Sequence, residues 1–420
     1  MKRIREINEL AALQIVRSEN PISRVALAQR LNLSRAALTG IVQRFLDGGL
    51  LLEVGWKPSA GKSGRREVLL TINPDFGHLL AVSVERHRIK SALFNLNAKL
   101  IESRSLDYQP TEHIDQIFNS MGQLTRELMD NHSLSDDQII GMGIAIPGVV
   151  HYHKQMIVEG GLSPQWDHFP IVTTLSKKFN FPIFIENNVK AVTLGEYHSS
   201  SSERGRKIVC LWLGDGIGMG TIQNRQIVRG ETSTCGEIGF WKLINGLQNI
   251  APLIYDRKHR IWGDILSVSN FMESIRRGID VGWNTSLTPT STLEEIIQAG
   301  IDSDPLTLHL YETFGKLIAH LLSLVIFIIN PTTIVLSGPL FYGNLRLFDE
   351  IRNYLMSNYL HSAIDKTELR MGALREHSVL FGAGCLVLDD FFSLPSRHRL
   401  SQTRLRYTKM NVMTRNGITS

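Results

Sequence analysis

The stretch of sequence that decides how most of the chain folds spans residues 185–196. It reads Ile185-Glu186-Asn187-Asn188-Val189-Lys190-Ala191-Val192-Thr193-Leu194-Gly195-Glu196. The run Ile183–Glu186 predicts a short buried strand, and the residues through Ala191–Tyr197 predict a helix soon after it. Two asparagines therefore lie where a strand gives way to a helix, and their side chains either cap the helix or bind a ligand.

Further strands and helices lie on both sides of this stretch. Apolar runs predict strands at Leu79–Val84, Ser91–Asn95, Ile139–Ile146, Ile208–Leu213 and Thr333–Leu336. Longer apolar or periodic segments predict helices at Ile114–Asn131, Leu306–Ile329 and Phe381–Asp390. The glycine-rich segment Gly214–Gly220 predicts a loop, and a hairpin follows around Asn224-Arg225. This mixture predicts an α/β body of two lobes.

The first 75 residues predict a domain of a different type. Helical periodicity, two serine caps and a tight turn predict three helices, which begin near Ile4, Ser23 and Ser34. Two strands follow, at Leu50–Val54 and Glu67–Ile72, with a glycine-rich basic loop between them. Helix, helix, turn, helix and hairpin is the order of a winged helix-turn-helix, which binds DNA.

The third helix of this domain is the predicted recognition helix, and it can enter a major groove only by the exposed face near its N-terminus. That face offers Ser34, Arg35, Ala36, Thr39 and Gln43. Arg35 can reach a guanine edge or a phosphate, whereas the loop residues Lys62, Arg65 and Arg66 suit the DNA backbone or minor groove. The alternative is that the three short helices form an interaction domain that binds no DNA.

Charge is distributed unevenly along the chain. Residues 1–66 contain 12 Lys or Arg and 5 Asp or Glu, whereas residues 67–390 contain 27 and 35. The last 30 residues add six basic side chains and no acidic one. A basic N-terminal domain on an acidic body indicates that only this domain meets a polyanion, although a solvated surface is the alternative interpretation.

Composition argues against several classes of protein. The three cysteines, Cys210, Cys235 and Cys385, are scattered and show no C-x-x-C spacing, which argues against a disulfide framework and suits a reducing cytoplasm. The longest apolar run, Leu321–Ile329, is far shorter than the roughly 20 residues of a membrane span. No N-terminal stretch has the pattern of a signal peptide. We therefore expect a cytoplasmic protein.

Six segments of the body resemble the ROK family, whose name abbreviates repressors, open reading frames and kinases. They follow the family's order and spacing within residues 77–390. Three of them read Gly141-Met142-Gly143-Ile144-Ala145-Ile146-Pro147-Gly148-Val149-Val150, Leu213-Gly214-Asp215-Gly216-Ile217-Gly218-Met219-Gly220 and Cys235-Gly236-Glu237-Ile238-Gly239-Phe240. The others are residues 185–196, Ser337-Gly338-Pro339 and Leu380-Phe381-Gly382-Ala383-Gly384. The N-terminal domain resembles that of the family's repressor branch.

The resemblance implies a body of two RNase H-like lobes around a cleft, as in sugar kinases, actin and Hsp70 chaperones. We therefore predict a winged helix-turn-helix at 1–75, a first lobe at 76–200 and a second lobe at 201–390. The closing helix near 380–390 is expected to pack on the first lobe. The basic tail at 391–420 is expected to be disordered.

The resemblance also implies a sugar site. Asn187, Asn188 and Glu237 match family positions that bind sugar hydroxyls, and Gly148 lies where the backbone can approach a ligand. Helix capping is the alternative role for each asparagine, and an ion pair is the alternative for Glu237. Phe240 or Trp241 could offer a sugar ring an apolar face, but core packing is the expected role of these two aromatics.

Two departures from the family pattern remove the chemistry of a kinase. The phosphate-binding Asp-x-Gly-Gly-Thr hairpin is replaced by Ser83-Val84-Glu85-Arg86-His87, which has no glycine and carries an acidic side chain. The aspartate that serves kinases as general base is replaced by Asn188, whose amide cannot accept the proton. A structural turn is accordingly the expected role of Gly214–Gly220, and we predict no enzyme activity.

A third departure removes the metal. The family's zinc-binding histidine is replaced by Phe240, and the cysteine-rich segment expected next is replaced by residues 245–263, which contain no cysteine. We therefore predict neither a metal site nor a cofactor. In the family, the lost segment also carries a glutamate that contacts the sugar. Asp264 is the one candidate for its replacement.

The sequence thus predicts a transcriptional regulator, in the first instance a repressor. It would bind operator DNA as a homodimer or higher homo-oligomer and respond to a sugar or sugar derivative in a degenerate kinase cleft. One alternative is a sugar kinase with an added DNA-binding domain. Another is a regulator that binds no sugar and responds to a protein partner.

Overall fold

The computed structural model describes residues 2–57, 67–200, 206–242, 251–256, 258–359 and 361–393. The chain divides by its contacts into two compact units. Unit 1 comprises Met1–Ile144, Pro170–Phe184 and the chain from Gly384, and unit 2 comprises Ala145–Phe169 and Ile185–Ala383. The functional boundaries at residues 76, 201 and 391 stay a prediction.

The N-terminal part of unit 1 has the predicted helix-turn-helix order. Its elements are α1 (Lys2–Ser18), β1 (Ile22–Ser23), α2 (Arg24–Leu31), α3 (Arg35–Asp47), β2 (Leu51–Lys57) and β3 (Glu67–Ile72). The three strands pair in the order β1-β3-β2. Leu13, Val16, Leu27, Leu38 and Val42 are buried between the helices and the strands, so the apolar stripes identified in the sequence form the core of this domain.

Serine caps and one left-handed residue shape the turn between α2 and α3. The Ser23 hydroxyl accepts a hydrogen bond from the Ala26 amide at 3.1 Å, and the Ser34 hydroxyl accepts one from the Ala37 amide at 3.2 Å. Asn32 ends α2 with φ of 52°, a conformation that asparagine tolerates better than most residues. Both predicted caps are confirmed.

The first large sheet contains five strands. The elements in this part of the chain are β4 (His78–Val84), β5 (Arg88–Asn95), β6 (Leu100–Asp107), α4 (Ile114–Asn131), β7 (Ile139–Ile146), β8 (Val149–His151), β9 (Met156–Glu159), α5 (Ile171–Leu175) and β10 (Ile183–Asn187). The sheet order is β10-β7-β4-β5-β6, and β8 and β9 form a separate hairpin. Every residue of β7 is buried, which explains its continuous apolar sequence. The edge strand β6 is almost wholly exposed and has no apolar pattern by which to predict it.

The second large sheet belongs to unit 2. Its strands are β11 (Ile208–Leu213), β12 (Ile217–Gln223), β13 (Gln226–Ile227), β14 (Thr333–Ser337) and β15 (Glu368–Met371), in the order β13-β12-β11-β14-β15. The helix α6 (Asn188–Ser199) comes before them in the chain. The predicted loop at Gly214–Gly220 is wrong in its second half, because β12 begins at Ile217. Its glycines let α6 approach closely: a Cβ on Gly220 would lie 1.9 Å from Thr193 Oγ1.

Helices complete unit 2 around an aromatic core. They are α7 (Trp262–Ile265), α8 (Val268–Asp280), α9 (Leu293–Ile301), α10 (Pro305–Ile329), α11 (Leu345–Asn358), α12 (His361–Ile364) and α13 (Ser378–Phe391). Phe271 contacts Tyr311 and Phe314, with ring centroids 5.8 and 4.9 Å apart. Among the described helices, only α10 has the length and apolar composition of a membrane span, and more than half of its most apolar window is buried inside the protein.

The C-terminal helix α13 is longer than predicted. It includes Phe391, and the next residue, Phe392, is buried; the disorder expected for the tail stays a prediction. Residues 394–420 lie outside the described residues. From Gly384 the helix groups with unit 1, where a Cβ on Gly384 would lie 3.7 Å from the Phe94 ring.

Candidate functional site

The candidate site begins where β10 passes into α6. Asn187 is buried and caps this helix: its side-chain oxygen accepts hydrogen bonds from the amides of Val189 at 2.9 Å and Lys190 at 3.2 Å. Its side-chain nitrogen donates to the carbonyl oxygen of Gly148 at 2.9 Å. The capping role that the sequence left open is therefore present, and the same side chain ties the helix to the turn at Gly148.

Asn188, at the first position of the helix, is only half-buried. Its side-chain oxygen accepts a hydrogen bond from the amide of Val189 at 2.9 Å. Its side-chain nitrogen has no partner among the described residues, so it can donate to a ligand. An amide at this position can bind a hydroxyl, but it cannot take the hydroxyl's proton.

Gly148 holds two loops in contact. Its φ of 101° lies in the left-handed region, and a Cβ built on it would lie 2.9 Å from the backbone of Gly160 and Gly161. A side chain at residue 148 would force these loops apart. The glycine therefore brings the segment around Gly160 next to the backbone that Asn187 binds.

Glu237 supplies the site with a carboxylate. It is half-buried, and its carboxylate has no hydrogen bond or ion pair within the described part of the chain. Burial raises the pKa of this carboxyl, and the positive charge of Lys190 offsets part of the rise. The ion pair that the sequence left open is not formed with any described residue, and the carboxylate oxygens can accept hydrogen bonds from a ligand.

Lys190 lies in the first turn of α6 and was not singled out from the sequence. It is 1% exposed, and its ammonium donates to the carbonyl oxygen of Ser233 at 2.7 Å. This bond ties α6 to the segment that carries Glu237. A lysine within a run of apolar helix residues was the signal that could have identified it, because buried lysines are rare.

A buried ion pair lies behind the asparagines. Glu186 is fully buried, and its carboxylate accepts from Arg229 Nε at 2.7 Å and from the Asn187 amide at 2.9 Å. The Arg229 guanidinium also lies 3.8 Å from the centre of the Tyr152 ring. Removing one partner of such a pair generally costs about 3–5 kcal/mol, so this pair is part of the structure that positions Asn187.

Phe240 and Trp241 do not pack in the core, and the prediction that they would is wrong. Phe240 is 61% exposed and Trp241 is 39% exposed. Phe240 closes the short 3-10 turn Ile238–Phe240, which Glu237 begins. A Cβ on Gly160 would lie 3.9 Å from the Phe240 ring.

The hairpin that replaces the kinases' phosphate loop is closed by its own side chains. Lys90 pairs with the Glu85 carboxylate at 2.6 Å, and the Glu85 amide donates to the Arg88 carbonyl oxygen at 2.8 Å. The Tyr108 hydroxyl donates to the Glu85 carbonyl oxygen at 2.7 Å. Lys90 thus offsets the negative charge of Glu85, but the sequence of this hairpin still has no glycine that would let the backbone cradle a phosphate.

The turn between β11 and β12 is held internally. The Gly214 amide donates to the Gly216 carbonyl oxygen at 2.9 Å, and the Gly214 carbonyl oxygen accepts from the Val268 amide at 2.8 Å. Asp215 is exposed at its tip. These bonds support the expected structural role of the turn.

The predicted DNA-contacting face is exposed along α3. Ser34, Arg35, Ala36, Thr39 and Gln43 all reach solvent. Gln43 donates to Asp47 at 2.8 Å and the Thr39 hydroxyl donates to the Arg35 carbonyl oxygen at 2.7 Å. The Arg35 side chain has no partner among the described residues. Lys62, Arg65 and Arg66 lie outside them.

Within the described residues, no three His, Cys, Asp or Glu side chains converge as a metal site. Cys210 and Cys385 are buried, Cys235 is half-buried, and all three are free thiols. Burial raises the pKa of the Cys210 and Cys385 thiols, which makes them poor metal ligands.

Comparison with known proteins covers both parts of the chain. A model of the ROK family matches residues 79–390. The xylose repressor of Caldicellulosiruptor bescii is 23% identical over 405 residues, which cover 93% of this chain and 98% of that protein. The structure of a ROK family transcriptional regulator, a homologue of E. coli Mlc, is 18% identical and covers 98% of both chains with a TM-score of 0.76.

A sugar kinase matches the body alone. The ROK family glucokinase from Streptomyces griseus, solved with glucose and AMPPNP, is 16% identical with a TM-score of 0.59, and it covers 74% of this chain and 99% of its own. These likenesses confirm the predicted fold class, a winged helix-turn-helix followed by a body of the sugar-kinase type.

Proposed function

The chain belongs to the ROK family, and from this premise we propose that it is a transcriptional repressor that binds operator DNA and is released by a sugar or sugar derivative. In this proposal residues 1–75 bind DNA, and residues 76–390 form the sugar-responsive body of a cytoplasmic protein. One observation carries it: an intact helix-turn-helix with an exposed recognition helix is joined to a kinase-type body whose base position is Asn188.

The sugar binds at the start of α6. The Asn188 side-chain nitrogen donates to a sugar hydroxyl, and Glu237 accepts from one or two others. Asn187 holds the helix against Gly148, so that the backbone of this turn stays close to the ligand. The amide of Asn188, which stands at the position of the kinase base, cannot take a proton from the sugar hydroxyl, and the bound sugar therefore leaves unchanged.

Helix α13 offers a route from the sugar site towards the DNA. A Cβ on Gly382 would lie 1.9 Å from the Ala191 carbonyl oxygen, and a Cβ on Gly195 would lie 3.1 Å from the Gly382 amide. The backbones of α6 and α13 are therefore in direct contact within unit 2. A small movement of α6 on sugar binding would be transmitted to α13, because closely packed helices move as discrete bodies.

The other end of α13 is attached to the first helix of the DNA-binding domain. Asp389 pairs with Arg17 at 3.3 Å, and Gln14 donates to the Phe392 carbonyl oxygen at 2.8 Å. The Arg17 guanidinium also lies 5.0 Å from the centre of the Phe392 ring. We name this contact the α1–α13 joint. In the proposed mechanism the sugar changes the position of α13, and the joint passes the change to α1.

Repression requires two DNA-binding domains at a fixed spacing, since a helix-turn-helix protein reads two half-sites about one helical turn apart. We therefore propose that the repressor is a homodimer or a higher homo-oligomer. A change at the joint in each protomer would alter the spacing of the two recognition helices.

A genomic binding map of the full-length protein, followed by an assay of ADP release in the presence of ATP, magnesium ions and a panel of sugars, tests the proposal. The expected result is a small set of bound operators beside sugar-utilisation genes and no sugar-dependent ADP release. A protein that shows no preference for any DNA fragment and phosphorylates a hexose would contradict it.

A further inference from the structure

The chain beyond α13 carries positive charge without any negative charge. Residues 394–420 contain six Lys or Arg and no Asp or Glu. We name this segment the basic tail, and its charged residues are Arg397, Arg399, Arg404, Arg406, Lys409 and Arg415. Segments whose charges all have one sign often act as arms that bind a partner of the opposite charge. The basic tail is therefore a candidate for contact with a polyanion.

The structure places the start of this tail at the DNA-binding domain. The last residues before it, Phe392 and Ser393, follow α13 directly. Gln14 of α1 donates to the Phe392 carbonyl oxygen at 2.8 Å, and the buried Phe392 ring lies 5.0 Å from the Arg17 guanidinium. Both contacts lie within unit 1. The chain therefore enters the basic tail at the α1–α13 joint, against the first helix of the domain that binds DNA in the proposed function.

Helix α1 in turn contacts the predicted recognition helix. The Glu9 carboxylate of α1 accepts a hydrogen bond from Arg44 Nε of α3 at 3.0 Å. The 17 residues of α1 extend about 26 Å at 1.5 Å per residue, whereas the 27 residues of the basic tail can extend at most about 95 Å. The tail thus has ample length to pass along the DNA-binding domain and reach the DNA beside α3.

Charge density favours DNA over the protein's own body as the partner of the tail. The body has eight more acidic than basic side chains, spread over the 324 residues 67–390. Double-stranded DNA carries one negative charge per about 1.7 Å of its axis, and each phosphate that a basic side chain neutralises releases counterions. When α3 is bound, these phosphates lie beside the domain from which the tail starts. DNA is therefore the stronger partner for the tail.

We propose that the basic tail is a second DNA-binding element of this protein, whose arginine and lysine side chains bind DNA phosphates beside the half-site that α3 contacts. The inference rests on the proposed function and extends it, because that proposal places the contacts with DNA in residues 1–75. Phosphate contacts carry no direct information about base sequence. The tail should accordingly strengthen binding to every DNA sequence alike, whereas the preference for the operator stays with α3.

Truncation after Ser393 tests this inference. Fluorescence anisotropy would compare the truncated with the full-length protein on two duplexes of equal length, one with the operator found by the genomic binding map and one with its sequence scrambled. Salt is varied from about 50 to 200 mM, because each phosphate contact contributes about 0.9 to the slope of log affinity against log salt concentration. With half of the six basic side chains in contact, the slope should decrease by about 2.7, and both duplexes should lose affinity by the same factor, at least about tenfold at 50 mM salt.

Two full-length variants separate the charge of the tail from its length. The neutral variant carries Arg397→Gln, Arg399→Gln, Arg404→Gln, Arg406→Gln, Lys409→Gln and Arg415→Gln, and it should bind DNA as the truncated protein does. In the matched control the same five arginines are changed to lysine, which keeps the charge, and this protein should retain the affinity and salt dependence of the wild type. All variants should melt at the temperature of the wild type, because they keep the contacts of the α1–α13 joint.

Three results would overturn the inference: unchanged affinity and salt dependence in the truncated protein, a loss confined to the operator duplex, or wild-type binding by the neutral variant. A rise in affinity on truncation would also overturn it, and would indicate that the tail binds the acidic body instead. Failure of the proposed function is seen separately, as equal affinity of the wild-type protein for the operator and the scrambled duplex, and the tail is then still judged by the change in salt dependence. A wild-type protein that binds neither duplex would contradict both.

Discussion

At the scale of single residues, Glu237 is the titratable group of the proposed sugar site. Its carboxyl is partly removed from water and has a raised pKa. The folded protein therefore holds this proton more tightly than the unfolded chain does. It follows that the ionised carboxylate lowers stability above the folded-state pKa, and that this penalty disappears as the pH falls through that value.

Glu237→Gln should thus separate stability from binding. We expect its melting temperature at pH 7.5 to equal or exceed that of the wild type, and the difference to shrink on acidification. Sugar affinity should fall by about tenfold, because a hydrogen bond to a charged acceptor is replaced by a weaker neutral one. Thermal unfolding at several pH values and calorimetry measure the two effects.

Glu273→Gln is the control for this experiment, since Glu273 is exposed on α8 and its carboxylate forms an ion pair with Arg276. It should change neither measurement. Unchanged sugar affinity in Glu237→Gln would remove this carboxylate from the sugar site.

For DNA binding, the corresponding prediction concerns Arg35. It stands exposed at the first position of α3 without a partner in the described residues. Arg35→Ala should weaken operator binding by more than about 1 kcal/mol and relax the preference at one base pair if the side chain reads a base. Fluorescence anisotropy with operator and mutated operators measures both quantities.

Arg30→Ala is a suitable comparison, because Arg30 is another exposed arginine of the same domain but lies on α2 and pairs with Glu19 at 3.2 Å. A loss of affinity in both variants would indicate a general effect of charge. Unchanged affinity and specificity in Arg35→Ala would exclude Arg35 from the interface.

At the scale of helices and strands, the contact of α6 with β12 depends on a missing side chain. A Cβ on Gly220 would meet Thr193 Oγ1 at 1.9 Å, and that hydroxyl is held by a 2.7 Å bond to the Val189 carbonyl oxygen. Gly220→Ala should destabilise the protein by about 1–3 kcal/mol, the usual effect of overpacking. Gly216→Ala, with no atom within 4 Å of its Cβ, should be nearly neutral. Urea unfolding of the pair tests the claim, and equal stabilities would contradict it.

The α1–α13 joint is expected to affect the control of operator binding by sugar rather than the stability of the fold. The Arg17–Asp389 pair is partly exposed, so its loss should change stability by no more than about 1 kcal/mol. Arg17→Ala should nevertheless reduce the effect of sugar on operator affinity at least fivefold. The exchange of both charges, Arg17→Asp with Asp389→Arg, should restore part of it. Arg5→Ala, which breaks the exposed Arg5–Glu9 pair on the same helix, is the control, and a full sugar response in Arg17→Ala would rule out the joint as the route.

The elements that the sequence predicted are those with a strong local signal. Strand β7 and helices α4 and α10 were predicted because their apolar residues follow a continuous or helical pattern, and the caps at Ser23 and Ser34 depend on neighbours only. Strand β6 was missed because it is exposed on both faces and its few apolar residues do not alternate with polar ones.

The candidate site shows the same division between local and distant contacts. Family motifs identified Asn187, Asn188 and Glu237, and the capping role of Asn187 follows from its place before a helix. The exposure of Phe240 and the bond from Lys190 to Ser233 depend on how distant segments pack. No local pattern reports such contacts, which is why Phe240 was expected in the core.

At the scale of the whole molecule, one chain combines two kinds of surface. The basic residues concentrate before residue 67, where the predicted recognition helix lies, and the acidic excess lies in the body. This distribution favours the N-terminal domain for the proposed contact with DNA. The loss of kinase groups and the gain of a DNA-binding domain therefore fit a single account, in which a sugar acts only by changing the shape of the protein.

The affinity of the full-length protein for its operator is best measured by fluorescence anisotropy while a sugar that the protein binds is titrated in. Saturating sugar should raise the dissociation constant of the operator complex by about 5- to 150-fold, the range that a coupling free energy of about 1–3 kcal/mol provides. An operator dissociation constant that stays the same at every concentration of a sugar shown to bind would contradict the proposed control by sugar.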